Sequence, residues 1–219
     1  MKCGEKLLKE LEGKYTVTKE DIGEDANLSK SGVHFDVESY NVEDIGHLCV
    51  ITMKAFFGLM RMETVVLSCD GKDMPLISFD WIGVLKKNTF LVEMYKSMLS
   101  ESNGEFLDAC IKIRDEDFYI PDYKSGKYWY DDLIMETSYR KTGGEYLERY
   151  EKAADDYISL FVKELDRVPS CDKEEKRAKN KLFVDGILEK GAPVVNRIRK
   201  LFGEETAQKL VCKYMYGVD

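Results

Sequence analysis

METVVLSCDGKDMPLISFDWIG, residues 62–83, decides the fold. Two apolar runs rich in β-branched and aromatic residues flank a short polar stretch, the pattern of a β-hairpin. In Thr64–Leu67 and Leu76–Ile82 both strand faces are largely apolar, so both faces of the sheet should be covered. Each run also carries a carboxylate, Glu63 in the first and Asp80 in the second.

Working outward, Val33, Phe35 and Val37 alternate with His34, Asp36 and Glu38, a half-buried strand. Leu48–Ala55, Met60–Cys69, Pro75–Gly83 and Thr89–Tyr95 read as further strands. Their connections are too short for parallel crossovers, so the strands form an antiparallel meander. Helical patterns lie on either side. Residues 4–13 make a short amphipathic helix, Met94–Leu99 opens another that Glu105–Arg114 continues, and 145–167 carries an aromatic stripe. Asp172 and Glu175 have the spacing of a capping box for a basic helix, and a closing helix starts near Gly203. Residues 117–144 read as an aromatic-rich loop. Together these elements predict a single domain over 1–219, an α/β/α sandwich on a central antiparallel sheet.

Composition narrows the function. The chain is 44% apolar and 34% charged with four prolines, ordinary for a folded domain. Its net charge of −8 argues against nucleic acid. No apolar run approaches the ~20 residues of a membrane span, and the N-terminus MKCGEKLLKELEGKY carries acids where a signal peptide needs apolar residues. A cytoplasmic protein with no membrane partner is expected. Six scattered cysteines form no CxxC pair and two histidines are too few for a His-rich centre, so no metal is expected. There is no P-loop, GxGxxG or GxSxG.

The two carboxylates then matter. With Gly71-Lys72 as a two-residue turn, Glu63 lies opposite Asp80; with Asp70-Gly71 as the turn, Arg61 does. Both registers keep Arg61, Glu63 and Asp80 on one face, whereas a three-residue loop would separate them. Facing acids on an apolar surface raise one another's pKa, the condition for a general acid near neutral pH. Glu93 joins them if its own hairpin register allows. The bland alternative is that Asp80 caps a helix or pairs with Arg61.

The stretch LMRMETVVLSCDGKDMPLISFDWIG resembles the central hairpin of the ferredoxin-dependent bilin reductases, relatives of red chlorophyll catabolite reductase. Met74-Pro75-Leu76-Ile77-Ser78-Phe79-Asp80-Trp81-Ile82 matches that family's signature except that Ser78 stands where the family has Gly. The chain end IRKLFGEETAQKLVCKYMYG is similar to the family's closing Phe-Gly-Glu-x-x-Ala helix. These two blocks cover about a fifth of the chain. The resemblance implies a linear tetrapyrrole bound between the sheet and the C-terminal helices, with no tightly held cofactor and with electrons from an external carrier such as ferredoxin. It makes Asp80 the proton donor and puts Glu63 at the facing position, where some members carry His. Arg61 and Ser78 become ligand-binding residues. The family's second acid falls at Gly191-Ala192-Pro193, where this chain has none. A non-catalytic tetrapyrrole-binding or carrier protein of the same fold is the alternative.

Three further features have two readings each. The aromatics Phe118, Tyr119, Tyr123, Tyr128, Trp129 and Tyr130 stack on a flat ligand or pack their loop. The basic helix around Lys173–Lys181 meets an acidic ferredoxin or is simply solvated. His47 reads as a surface or capping residue rather than a haem ligand.

Overall fold

A computed structural model describes residues 1–100, 104–126 and 128–219. The sheet is built from β1 (Val17–Lys19), β2 (Asn27–Lys30), β3 (Val33–Val42), β4 (Gly46–Ala55), β5 (Met60–Cys69), β6 (Leu76–Val84), β7 (Lys87–Tyr95) and β8 (Tyr139–Thr142). The strands run in the order β1-β3-β4-β5-β6-β7-β8, every pair antiparallel, and β2 shares the β3 edge with β1. The meander expected from the short connections is thus present.

Helices cover both faces. One layer holds α1 (Cys3–Glu12), α2 (Gly104–Glu116) and α3 (Leu147–Arg167). Its core joins Leu7 and Leu11 to Val65, Leu67 and Phe79 of the sheet and to Tyr157, Phe161 and Leu165 of α3. The other layer holds α4 (Lys173–Lys190), α5 (Pro193–Phe202) and α6 (Glu204–Lys209), continued as one π-helical turn over Leu210–Met215. Here Phe183, Val184, Ile198 and Val211 pack on Phe35, Ile51, Val66 and Leu76. Each buried side chain of this size contributes about 1.5–3 kcal/mol to holding the helical layers on the sheet. Asp172 caps α4, its carboxylate accepting the Glu175 N–H at 2.9 Å. The closing helix α6 starts at Glu204, beside Gly203 as expected, with α5 preceding it as a separate helix; φ at Gly203 is +100°, a conformation that suits glycine.

Three expectations change. Met94–Leu99 does not open a helix, because Met94 and Tyr95 finish β7 in register with Ile77 and Leu76. Residues 139–142 are a strand rather than loop. Lys141 hides the apolar alternation there, being buried with its ammonium on Asp122 (2.7 Å) and the Ile120 carbonyl (3.2 Å).

The third change concerns the opening hairpin. Its pairs are Val65↔Phe79, Thr64↔Asp80 and Glu63↔Trp81, so Asp80 faces a residue one position from the Gly71-Lys72 expectation and three from the Asp70-Gly71 expectation. The ladder stops at Leu67↔Ile77 because the Leu76 N–H donates to Ser97 Oγ (2.8 Å) and Pro75 has no N–H to give. Gly71 is not the turn residue. It lies against the β3–β4 turn, where a Cβ would sit 2.0 Å from the Asp44 carbonyl oxygen. Residues 70–75 form a junction instead. Lys72 Nζ donates to the Val168 carbonyl at 2.8 Å. The Asp73 carboxylate accepts the backbone N–H groups of Leu99 and Ser100 at 2.8 and 2.9 Å.

Candidate active site

Because strand side chains alternate, the observed register decides which acids meet. Thr64, Ser78, Asp80 and Glu93 all point to the face covered by α4 and α5, while Glu63 and Arg61 do not. Glu63 faces α1, where its carboxylate accepts the backbone N–H groups of Cys3 (3.1 Å) and Gly4 (3.0 Å). Lys2, the residue before that helix, supplies no side-chain cap, so the sheet provides the acceptor. The expected Glu63–Asp80 pair is therefore absent, and the position facing Asp80 is Thr64. Arg61 is solvent-exposed, its Nε donating to the Gly58 carbonyl at 3.4 Å.

Asp80 sits in the floor of a cavity of about 200 Å³. Thr64 Oγ1 donates to one carboxylate oxygen at 2.6 Å and Ser78 Oγ to the other at 2.9 Å. Burial pushes the Asp80 carboxyl up to about 6, and neighbouring Glu93 adds to the rise against the two hydroxyl donors. Ser78 is thus in the site, though its hydroxyl is engaged by Asp80. The glycine that the signature implies could not make this contact.

Glu93 is the second acid of the site. It lies opposite Ser78 in the β6–β7 ladder and is buried. Tyr95 Oη donates to its Oε2 at 2.6 Å, and Arg140 Nε on β8 lies 2.9 Å from its Oε1. Burial raises its pKa, with the Tyr95 hydroxyl and the Arg140 guanidinium acting in the opposite direction. Arg140 also faces the Tyr123 ring at 5.6 Å. It brings the guanidinium to the cavity wall that Arg61 was expected to supply.

The remaining walls are aromatic and apolar. Tyr128 and Tyr130 stack with centroids 5.3 Å apart, and Phe183 lies 4.4 Å from Tyr95 and 6.0 Å from Tyr216. Tyr95, Tyr130 and Tyr216 have pKa values raised chiefly by burial, so they remain O–H donors at neutral pH. Ala192, Pro193, Val194 and Val195 close the side beneath α5. That wall is where the resemblance placed an acid. The cavity is partly open and smaller than the ~300–1,000 Å³ usual for ligand pockets.

The aromatic segment divides between its two readings. Tyr123, Tyr128 and Tyr130 line the cavity. Trp129 packs over Gly186 of α4 and donates to the Gly191 carbonyl (3.0 Å), while Phe118 and Tyr119 are exposed. In the basic helix Lys176 is fully buried, donating to the Ser97 carbonyl, and Arg177 and Lys173 approach Asp70 (3.7 Å) and Asp44 (3.6 Å). Part of that charge is therefore used within the fold. His47 is buried, not superficial, with Nε2 2.7 Å from the Tyr214 carbonyl oxygen.

Sequence reasoning missed Thr64, Arg140 and Tyr216. Thr64 follows from Asp80 once the register is right. Arg140 lay in a segment read as loop, and Tyr216 follows the last helical turn with no period to mark it. No group of three or more His, Cys, Asp or Glu suited to a metal occurs among the described residues.

The fold has a known counterpart. Tomato phytochromobilin synthase, in its crystal structure with biliverdin, superposes with a TM-score of 0.77 over 97% of this chain and 80% of that one. Sequence identity is 13%, so the likeness establishes the fold. No family model matches this sequence, and no curated protein is found as a relative.

Proposed function

We propose that the protein is a bilin-reductase-like oxidoreductase acting on a linear tetrapyrrole, with Asp80 as proton donor. The observation that carries this reading is a carboxyl with a pKa of about 6 in the floor of an aromatic-walled cavity between sheet and C-terminal helices. The structural likeness to a biliverdin-bound enzyme of the same architecture supports the choice of ligand. The tetrapyrrole occupies the cavity and its open side, its rings against Tyr123, Tyr128 and Tyr130.

Reduction of one double bond takes two electrons and two protons. Electrons arrive singly from an external carrier such as a ferredoxin. Asp80 gives one proton to the tetrapyrrole after the first electron, regains a proton from solvent, and gives that second proton after the second electron. At pH 7 about one Asp80 in ten is protonated, enough for a general acid that recharges quickly. Thr64 and Ser78 hold the carboxylate in place and stabilise the anion left behind. Glu93, tied to Arg140, is the nearby negative charge that keeps the Asp80 proton on at higher pH.

A second reading, a tetrapyrrole-binding protein without turnover, is favoured by the apolar wall Ala192–Val195 in place of a second acid. Two measurements decide. Biliverdin added to the protein should change its visible spectrum on binding; an unchanged spectrum counts against both readings for that ligand. Anaerobic turnover with reduced ferredoxin selects the enzyme, and Asp80→Asn should then lower the rate by about 10²–10⁴-fold while leaving the bound spectrum in place. Full turnover by Asp80→Asn removes Asp80 from the role.

A further inference from the structure

Five large apolar side chains that reach solvent stand together at one end of the sheet. Phe56, Phe57 and Leu59 lie in the β4–β5 turn, and Val84 and Leu85 at the β6–β7 turn. The Phe57 side chain is fully exposed and Leu85 is 76% exposed. The two turns form one surface: the Leu85 N–H donates to the Leu59 carbonyl at 2.9 Å, and Met60 pairs with Val84.

The backbone holds these side chains outward at a cost. Phe56, Phe57 and Leu85 have φ of +51°, +55° and +56°, the left-handed region that disfavours bulky residues. Glycine or asparagine would relieve that cost, so stability does not explain the choice of phenylalanine.

Charge adds an independent observation. Segments 54–61 and 84–89 carry Lys54, Arg61, Lys86 and Lys87 and no acid, in a chain of net charge −8. All four cations are exposed, and none joins an ion pair among the described residues. Two acids approach from neighbouring elements: Glu145 follows Gly144, which packs on the Lys86 carbonyl, and Asp36 on β3 lies opposite Thr52, two residues along β4 from Lys54.

We propose that this end of the sheet docks on an anionic phospholipid surface. The protruding rings enter the boundary between headgroups and acyl chains, and the four cations flank them at headgroup level. A protruding apolar tip beside cations follows the layering of a bilayer interface, whereas a protein partner would need a matching cavity to cover Phe57. Among the described residues no helix is long and apolar enough to cross a membrane, but that bears on spanning and not on resting at the surface. The expectation of no membrane partner drew on the lack of a spanning run and of a signal-peptide pattern, neither of which bears on docking at a surface.

The test is co-sedimentation of the full chain with vesicles of phosphatidylcholine, alone or mixed with phosphatidylserine. Binding is expected to the mixed vesicles and should fall as salt rises. Lys86→Gln with Lys87→Gln should weaken it about tenfold or more. Phe57→Asn should weaken it about tenfold or more while leaving the melting temperature equal or higher, since Asn tolerates the left-handed backbone. Equal binding by Phe57→Asn, or no binding to either vesicle, overturns the proposal. So does self-association of the lipid-free protein that Phe57→Asn abolishes, which would assign the surface to a second copy of the chain. None of these readouts involves a tetrapyrrole, so they stand apart from the proposed activity.

Discussion

The two faces of the β5–β6 hairpin treat a carboxylate in opposite ways. On the α1 face Glu63 is surrounded by packed side chains, and its oxygens accept two backbone N–H groups that have no other side-chain cap. On the α5 face Asp80 meets two hydroxyls, a second acid and a cavity. Burial raises both pKa values, yet only one of the two carboxyls can reach a ligand. A perturbed carboxyl is therefore not by itself a sign of catalysis; what its oxygens face separates the two.

The contrast can be broken most sharply by turnover. Where Asp80→Asn costs about 10²–10⁴-fold, Glu63→Gln should leave the rate within about twofold, because no proton leaves the α1 face. Loss of turnover in Glu63→Gln at unchanged stability would erase the distinction. Stability should respond the other way. Glu63→Ala strips the acceptor from the first turn of α1 and should cost about 2 kcal/mol by chemical denaturation.

Asp80→Asn should instead stabilise the protein at pH 7, by about 1–2 kcal/mol once partial exposure is discounted. The sign follows from the raised pKa. Between the unfolded value near 4 and the folded value of about 6, the folded chain keeps a proton that the unfolded chain has released. Stability thus falls as pH rises through this window, and the gain in Asp80→Asn should vanish by about pH 4. The smallest effect belongs to Glu93→Gln. Removing that charge lowers the Asp80 pKa, so the alkaline limb of the pH–rate profile should move to lower pH, with a rate at pH 7 reduced about two- to threefold.

Much of the fold was legible because its signals are local. Alternation marked Val33–Val37, apolar runs marked β4 to β7, and Asp172 with Glu175 marked the start of α4. The site was legible only in part. Asp80 and Ser78 could be placed because a motif carried them, and Glu93 because it lies on the adjacent strand. Parity was lost at residues 70–75, where Asp-Gly and Gly-Lys both have the chemistry of a tight turn. The observed path depends on Asp44, Ser97 and Val168, partners far away in the chain that no local pattern reveals. One residue of register exchanged Glu63 for Thr64 and removed Arg61 from the cavity. Arg140 was lost for a related reason, since a four-residue edge strand with a buried lysine has no readable period.

The junction at residues 70–75 also has a kinetic meaning. Its bonds join Asp73 to residues 99 and 100, Lys72 to Val168 and Gly71 to the Asp44–Ile45 turn. None of them closes a local loop, and each requires strands and helices already brought together, so chain entropy sets the junction late in folding. Contacts made after the folding barrier act on the rate of coming apart rather than the rate of assembly. This short polar stretch is thus expected to act as a clasp, adding little to how fast the sandwich forms and much to how long it stays closed.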